Sequence, residues 1–95
     1  MSKLKNIHPG EILKEEFLKP MGITAYKLSH AIGVPQTRTS QILKRKRRII
    51  ADTALRLEKY FGTSTKFWLG LQNDFDIEEE TKNIKRELEQ IETGY

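Results

Sequence analysis

The chain has 95 residues, a net charge of +4 and no cysteine. This length fits one small domain, and the absence of cysteine excludes disulfides and thiolate metal sites. No apolar run approaches the roughly 20 residues that a membrane-spanning helix needs. No apolar secretory segment follows the N-terminal lysines either, so we expect a cytoplasmic protein that makes no use of a membrane.

The charge is divided unevenly along the chain. Residues 1–50 carry 11 basic and 3 acidic residues, a net charge of +8, whereas residues 51–95 carry 6 basic and 10 acidic residues, a net charge of −4. A basic half followed by an acidic half indicates two surfaces with different partners. Uneven scatter in a small protein is the alternative explanation.

A basic N-terminal arm, residues 1–7, precedes the first predicted helix. This helix opens in HPGEIL, where Pro9 suits the first helical position, and it is expected to stop at Pro20 and Gly22. Leu18 is expected at the edge of the apolar face. The centre of that face is formed by Ile12, Leu13 and Phe17.

Two further helices follow closely. Thr24 is a good N-cap for the second helix, TAYKLSHAI, and Gly33 offers the left-handed conformation that ends it. The third helix covers about Pro35–Leu43 and is mostly polar. The inward positions of these two helices are expected to be Leu28, Ala31, Ile32, Thr39, Ile42 and Leu43.

The segment ADTALRLEKYFG predicts a fourth helix, and TKFWLGLQNDF predicts a fifth that Thr63, Ser64 or Thr65 can cap. No segment shows the alternation of a strand, so the fold class is all-α. The domain is expected to cover residues 8–76. Core positions in its second half are expected to be Ala54, Leu55, Leu57, Phe61 and the aromatic residues of the fifth helix.

Residues 77–95 predict a C-terminal amphipathic helix. Ile77, Ile84 and Ile91 recur every seven residues, and Leu88 fits the alternate position of the same narrow seam. Such a seam can pack on its own domain, on a second copy or on a partner protein. We therefore treat these four residues as candidates for a dimer or partner interface.

Two short helices joined by a tight glycine turn, the second of them polar, are the plan of a helix-turn-helix. Ser29 is small where the two helices cross. Because Thr39 and Ile42 face the core, the opposite face of the third helix is available to DNA, where Gln pairs with adenine and Arg with guanine. The predicted base-reading residues are Gln36, Thr37, Ser40 and Gln41, with Arg38 at the flank.

A basic run follows the third helix directly. In a helix-turn-helix this segment runs near the phosphate backbone, where contacts add affinity but no sequence reading. The start of the second helix is a further candidate, since helix N-termini favour phosphate. A solvated turn and a Tyr26 packed at the core edge are the alternatives. The predicted phosphate contacts are Thr24, Tyr26, Lys27, Lys44, Lys46, Arg47 and Arg48.

The sequence does not favour an enzyme. Neither histidine accompanies a nucleophile or a metal-ligand cluster, and no glycine loop could cradle phosphate, so we expect no cofactor and no metal. His8 is expected to cap or to precede the first helix, and His30 is expected to be exposed on the second. A cluster of carboxylates can complement a basic partner or simply begin a helix; it comprises Asp74, Asp76, Glu78, Glu79 and Glu80.

Over about residues 7–78 the chain resembles HigA-like (VapI-type) antitoxins of the Xre/Cro helix-turn-helix superfamily. The resemblance is carried by HPGEILKEEFLKPMGITAYKLSHAIGV, ADTALRLEKYFGTSTKFWLGLQNDFDI and the intervening helix. It implies a five-helix, lambda-repressor-like domain that dimerises and represses its own toxin–antitoxin operon. A dimer would read double-stranded operator DNA as an inverted repeat. The resemblance also implies binding of a HigB/RelE-like toxin, a small basic ribonuclease that cuts mRNA.

The sequence departs from this family at two places. The family usually has Asn-Gly after the third helix, where Lys44 and Arg45 stand here. A non-glycine residue in a left-handed cap costs roughly 1 kcal/mol, so the helix is expected to end differently or to continue. Thr39 replaces the usual aliphatic anchor. The alternative functions are a solitary Xre-type regulator without a toxin and a protein-binding module that no longer reads DNA.

Overall fold

The computed structural model describes residues 6–94, and every regular element in that range is a helix. The all-α prediction is therefore confirmed. Of the predicted basic arm, residues 1–5 lie outside the described residues. We number the helices α1 (residues 9–21, made of Pro9–Ile12, a π-helical Leu13–Leu18 and Lys19–Met21), α2 (Ala25–Ile32), α3 (Gln36–Leu43), α4 (Ala51–Phe61), α5 (Thr65–Asn83) and α6 (Lys85–Glu89).

A π-helical turn lies in the middle of α1. There the Lys19 N–H donates to the carbonyl of Lys14, five residues back, so Leu13 and Leu18 come to lie on the same face and both are buried. The prediction that Leu18 lies at the edge is wrong for this reason. Of the two predicted stops, Gly22 is confirmed and Pro20 is wrong. The helix continues to Met21 and ends at Gly22, with φ of 64°, since the π turn already replaces the bonding pattern that a proline interrupts.

The helix-turn-helix consists of α2 and α3. Thr24 caps α2 as predicted, with its hydroxyl accepting from the Lys27 N–H at 3.1 Å, and Gly33 ends the helix with φ of 73°. The turn is three residues long, and α3 packs on both α2 and α1. Ala31, predicted to face inward, is exposed because the buried face of α2 is turned toward Ser29.

Ser29 and Thr39 meet where α2 crosses α3. Both are buried, and their hydroxyl oxygens lie 2.7 Å apart; the Ser29 hydroxyl is also 2.8 Å from the carbonyl of Ala25. Each hydroxyl carries one hydrogen, so the arrangement is satisfied when Ser29 donates to Ala25 and Thr39 donates to Ser29. This pairing explains why a threonine occupies the anchor position of α3.

Trp68 of α5 is fully buried at the centre of the second half of the core. Its ring lies 5.0 Å from that of Phe17 in α1, and its indole N–H donates to the Thr63 hydroxyl at 2.7 Å. In α4, Ala54 and Leu57 are buried as predicted. Leu55 is exposed, contrary to the prediction, because the buried face of α4 runs through Thr53 and Leu57.

The C-terminal end differs from the predicted single amphipathic helix. α5 runs unbroken to Asn83, past the expected domain boundary between residues 76 and 77. The helix breaks at Ile84, with φ of −114° and ψ of 25°, before the short α6 begins. The four seam residues are all exposed: Ile77 lies before this break, Ile84 at it, and Leu88 and Ile91 after it.

His8 is buried at the start of α1, where its Nδ1 accepts from the Gly10 N–H at 2.8 Å. The ring lies edge-to-face on Phe75 of α5, with centroids 4.9 Å apart. Burial first, and then the charge of Arg45, hold the pKa of His8 below its ordinary value of 6.5. The predicted cap is thus confirmed, and it needs a neutral imidazole, since a protonated Nδ1 could not accept.

The free energy of unfolding is expected to fall as the pH drops below 6.5, the ordinary pKa of histidine. Below this pH His8 binds a proton in the unfolded chain but stays neutral in the folded protein, so acid favours the unfolded state. Urea titrations between pH 8 and pH 5.5 on wild type and His8→Asn measure the effect, since asparagine retains a capping oxygen without titrating. A pH dependence that is the same in the two proteins would contradict the prediction; His30→Asn, at an exposed histidine, is the control.

Candidate nucleic-acid interface

α3 presents its polar face to solvent because Thr39 and Ile42, both buried, hold its other face against the core. Gln36 and Thr37 are exposed at its N-terminal end, and Ser40 and Gln41 are half-buried one turn later. The structure brings these four predicted residues together around one shallow concavity, which Lys44 and Lys46 complete. Hydrogen-bonding side chains with lysines at the rim suit a duplex groove flanked by phosphates.

The end of α3 keeps the left-handed geometry that its sequence opposes. Arg45 adopts φ of 63°, its N–H donates to Ile42 at 3.0 Å, and the Lys46 N–H donates to Gln41 at 2.8 Å. This is a Schellman motif with an arginine where glycine is usual. The expectation of a different or later helix end is therefore wrong: α3 ends at Leu43 with the strain retained.

The basic run divides into paired and unpaired side chains. Arg45 forms an ion pair with Glu11, and Arg48 forms one with Asp76. Lys44, Lys46 and Arg47 are exposed and have no carboxylate within 4.0 Å among residues 6–94. These three side chains are therefore available to bind phosphate, whereas Arg48 must first break its ion pair with Asp76.

Gln72 of α5 holds the far end of the basic run. It is almost completely buried, and its Oε1 accepts from the backbone N–H of Ile49 at 2.7 Å. Its Nε2 donates to Asp76 at 2.9 Å, the carboxylate that also binds Arg48. Sequence reasoning missed Gln72. The available signal was its position four residues after Trp68, on the inward face of α5.

Arg38 lies beside the concavity and is held by α4. Its Nη1 donates to the Asp52 carboxylate at 2.7 Å, and Arg56 donates from Nε to the same oxygen at 2.8 Å. Arg56 also donates to the carbonyl oxygens of Ile32, at 2.7 Å, and Gly33, at 3.3 Å. Hydrogen bonds from Arg56 and then from Arg38 keep the pKa of Asp52 below its ordinary value.

The start of α2 presents the remaining predicted phosphate contacts. Tyr26 and Lys27 are exposed, and the Tyr26 ring stacks near that of His30, with centroids 6.3 Å apart. The alternative that Tyr26 packs at the core edge is therefore wrong. The Thr24 oxygen is engaged as the helix cap, but its hydroxyl hydrogen remains free to donate to a phosphate.

Over residues 6–94 no cluster of histidine, cysteine or carboxylate side chains could hold a metal ion. None of the helices described is long and apolar enough to cross a membrane.

No family model matches the chain, but it is similar to a virulence-associated protein and to HigA antitoxins. Virulence-associated protein I of Dichelobacter nodosus is 47% identical over 76 residues, covering 80% of this chain and 70% of that protein. Antitoxin HigA-1 of Vibrio cholerae is 34% identical over 91 residues, covering 88% and 86%. The structure of Pseudomonas aeruginosa antitoxin HigA with the higBA promoter superposes with a TM-score of 0.92 at 35% identity, covering 96% of this chain and 100% of that one.

Proposed function

The chain belongs to the HigA family of helix-turn-helix antitoxins. We propose that it is a dimeric operator-binding repressor of its own toxin–antitoxin operon. The observation that carries the proposal is the grouping of Gln36, Thr37, Ser40 and Gln41 around one concavity with lysines at its rim. Binding of the higBA promoter by the similar P. aeruginosa protein supports the same function. The proposed activity is binding, not catalysis.

Within this proposal the side chains have two roles. Gln36 and Thr37, at the N-terminal end of α3, read base edges in the major groove, and Ser40 and Gln41 extend the reading by one turn. Arg38 adds a contact at the flank. Phosphates are bound by Lys44, Lys46 and Arg47 on one side and by the start of α2 on the other. Arg48 joins them when it leaves Asp76.

Selection of duplexes from a randomised pool tests the proposed DNA binding and identifies the preferred DNA sequence in the same experiment. We expect enrichment of an inverted repeat whose half-site centres lie about one helical turn, ~34 Å, apart. An enriched sequence gives the selected site used in the experiments below. A pool without enrichment after repeated rounds would contradict sequence-specific binding.

We further propose that the chain neutralises a HigB/RelE-like toxin. The family assignment supports this partner, and the carboxylates of α5 from Asp74 to Glu80 can complement a small basic protein. The exposed seam of Ile77, Ile84, Leu88 and Ile91 is the proposed dimer or partner surface. The competing proposal is a solitary regulator without a toxin; one relative in Escherichia coli, 34% identical, is named an HTH-type transcriptional regulator.

Co-expression with a small basic protein encoded next to this chain's gene, where the genome has one, separates the two proposals, and the lack of such a gene would favour the solitary regulator. We expect the small protein to arrest growth, and this chain to restore growth and to co-purify with it. The Gln36→Ala/Thr37→Ala variant should restore growth equally well, because α3 faces DNA in the proposal. Persistent arrest without co-purification would contradict the toxin proposal and leave a solitary regulator.

A further inference from the structure

Asp52 and Arg56, both on α4, connect that helix to the turn after α2 and to α3. Arg56 binds the carbonyls of Ile32 and Gly33 at the turn, and a Cβ added at Gly33 would lie 3.3 Å from its Nη1. Its Nε fixes the Asp52 carboxylate, which in turn binds Arg38 of α3. The side chain of Arg38 is therefore oriented by α4 and not only by its own helix.

We propose that Asp52 is a specificity-determining residue of the DNA interface, which holds Arg38 for the selected site and opposes its use on DNA of any other sequence. The inference rests on the DNA binding proposed above. Asp52 lies in α4, outside the proposed base-reading helix, and its negative charge repels phosphate.

The electrostatic reasoning starts from non-specific binding, which comes almost entirely from cations on phosphate. The Arg38 side chain is 27% exposed and the Asp52 side chain is 49% exposed, so a phosphate can reach Arg38 but must compete with the carboxylate already bound to it. On a wrong sequence the phosphate must displace Asp52 with no base contact in return. At the selected site the base contacts of α3 fix the register, and Arg38 is already placed beside them.

A purely structural role is the alternative for Asp52. It lies in the first turn of α4, where a carboxylate stabilises the helix by its position alone. That role predicts a change in thermal stability when Asp52 is replaced. It predicts no change in the ratio of specific to non-specific binding and none in the salt dependence.

The test measures affinity of Asp52→Asn for the selected site and for a scrambled duplex over a range of salt. We expect affinity for the scrambled duplex to rise roughly fivefold, the value of one added ion pair in water. The slope of log affinity against log salt concentration for the scrambled duplex should steepen by the amount that about one additional phosphate contact contributes. The ratio of affinity for the selected site to affinity for the scrambled duplex should fall. Asp52→Ser, which keeps a hydroxyl in the first turn of α4, should show the same changes in affinity and salt dependence as Asp52→Asn.

Glu78→Gln is the matched control, because it also removes one carboxylate that is paired four residues along a helix, with Lys82. Equal specificity ratios and salt slopes in wild type, Asp52→Asn and Glu78→Gln would overturn the inference while the proposed DNA binding stands. A wild type that does not distinguish the selected site from the scrambled duplex would instead overturn the proposed function, and this inference with it.

Discussion

A Gly10→Ala variant should lose about 3 kcal/mol of its free energy of unfolding, the upper range for overpacking a well-packed core. A Cβ at position 10 would lie 1.9 Å from the carbonyl oxygen of Ile42 and 2.9 Å from its carbon. This neighbour is the backbone of α3, which cannot rotate away as a side chain can. The methyl group must therefore push α1 away from α3.

Urea denaturation of Gly10→Ala measures this loss, and Gly70→Ala is the matched control. Gly70 is also helical, but a Cβ there meets nothing within 4 Å. Its replacement should raise stability by up to about 1 kcal/mol, the difference in helix propensity. Equal midpoints for Gly10→Ala and wild type would contradict the close approach of α1 to α3.

The Gln36→Ala/Thr37→Ala variant should lose about 1–3 kcal/mol of operator binding for each base contact removed. Both side chains are exposed on α3, so the protein should remain folded and its affinity for a scrambled duplex should hardly change. Fluorescence titration of the two duplexes measures the difference. Unchanged affinity for the selected site would contradict the assignment of these residues to base reading.

Lys46→Gln/Arg47→Gln is the complementary control. Neither side chain has a carboxylate partner among residues 6–94, so both should contribute to phosphate binding. The double variant should bind every duplex more weakly, and the slope of its salt dependence should flatten by about two phosphates. Weakened binding of the selected site alone would argue for base reading by these residues.

The sequence is sufficient for the elements whose signals are local. Thr24 and Gly33 mark the two ends of α2, and the spacing of Thr39 and Ile42 places the polar face of α3 toward solvent. These signals depend only on neighbours within one or two turns. The base-reading face can therefore be proposed from the sequence alone.

Long-range pairing cannot be read in the same way. The sequence predicts that Arg48 is free for phosphate, but its partner Asp76 is 28 residues away. Arg38 is likewise held by Asp52, 14 residues along the chain. Nothing in the spacing of charges shows which carboxylate will reach which guanidinium after α4 and α5 have packed.

Backbone strain escapes sequence reasoning for a related reason. The left-handed Arg45 contradicts its local preference and persists because both ends of the basic run are held, by the bonds to Ile42 and Gln41 and by Gln72 on Ile49. The π turn in α1 likewise has no local signal in LKEEFL. It becomes intelligible only when Leu13 and Leu18 are seen to share one core.

Operator recognition by paired α3 helices is tested most directly by titrating the wild-type chain against two duplexes, the selected inverted repeat and the same repeat with about five base pairs inserted between its half-sites. The insertion turns one half-site by about half a helical turn, so two recognition helices fixed in one dimer can no longer enter both major grooves. We predict that affinity falls to that of a duplex with one intact and one scrambled half-site, because one α3 can still read its own half-site. Equal affinity for the two duplexes would contradict recognition by paired α3 helices.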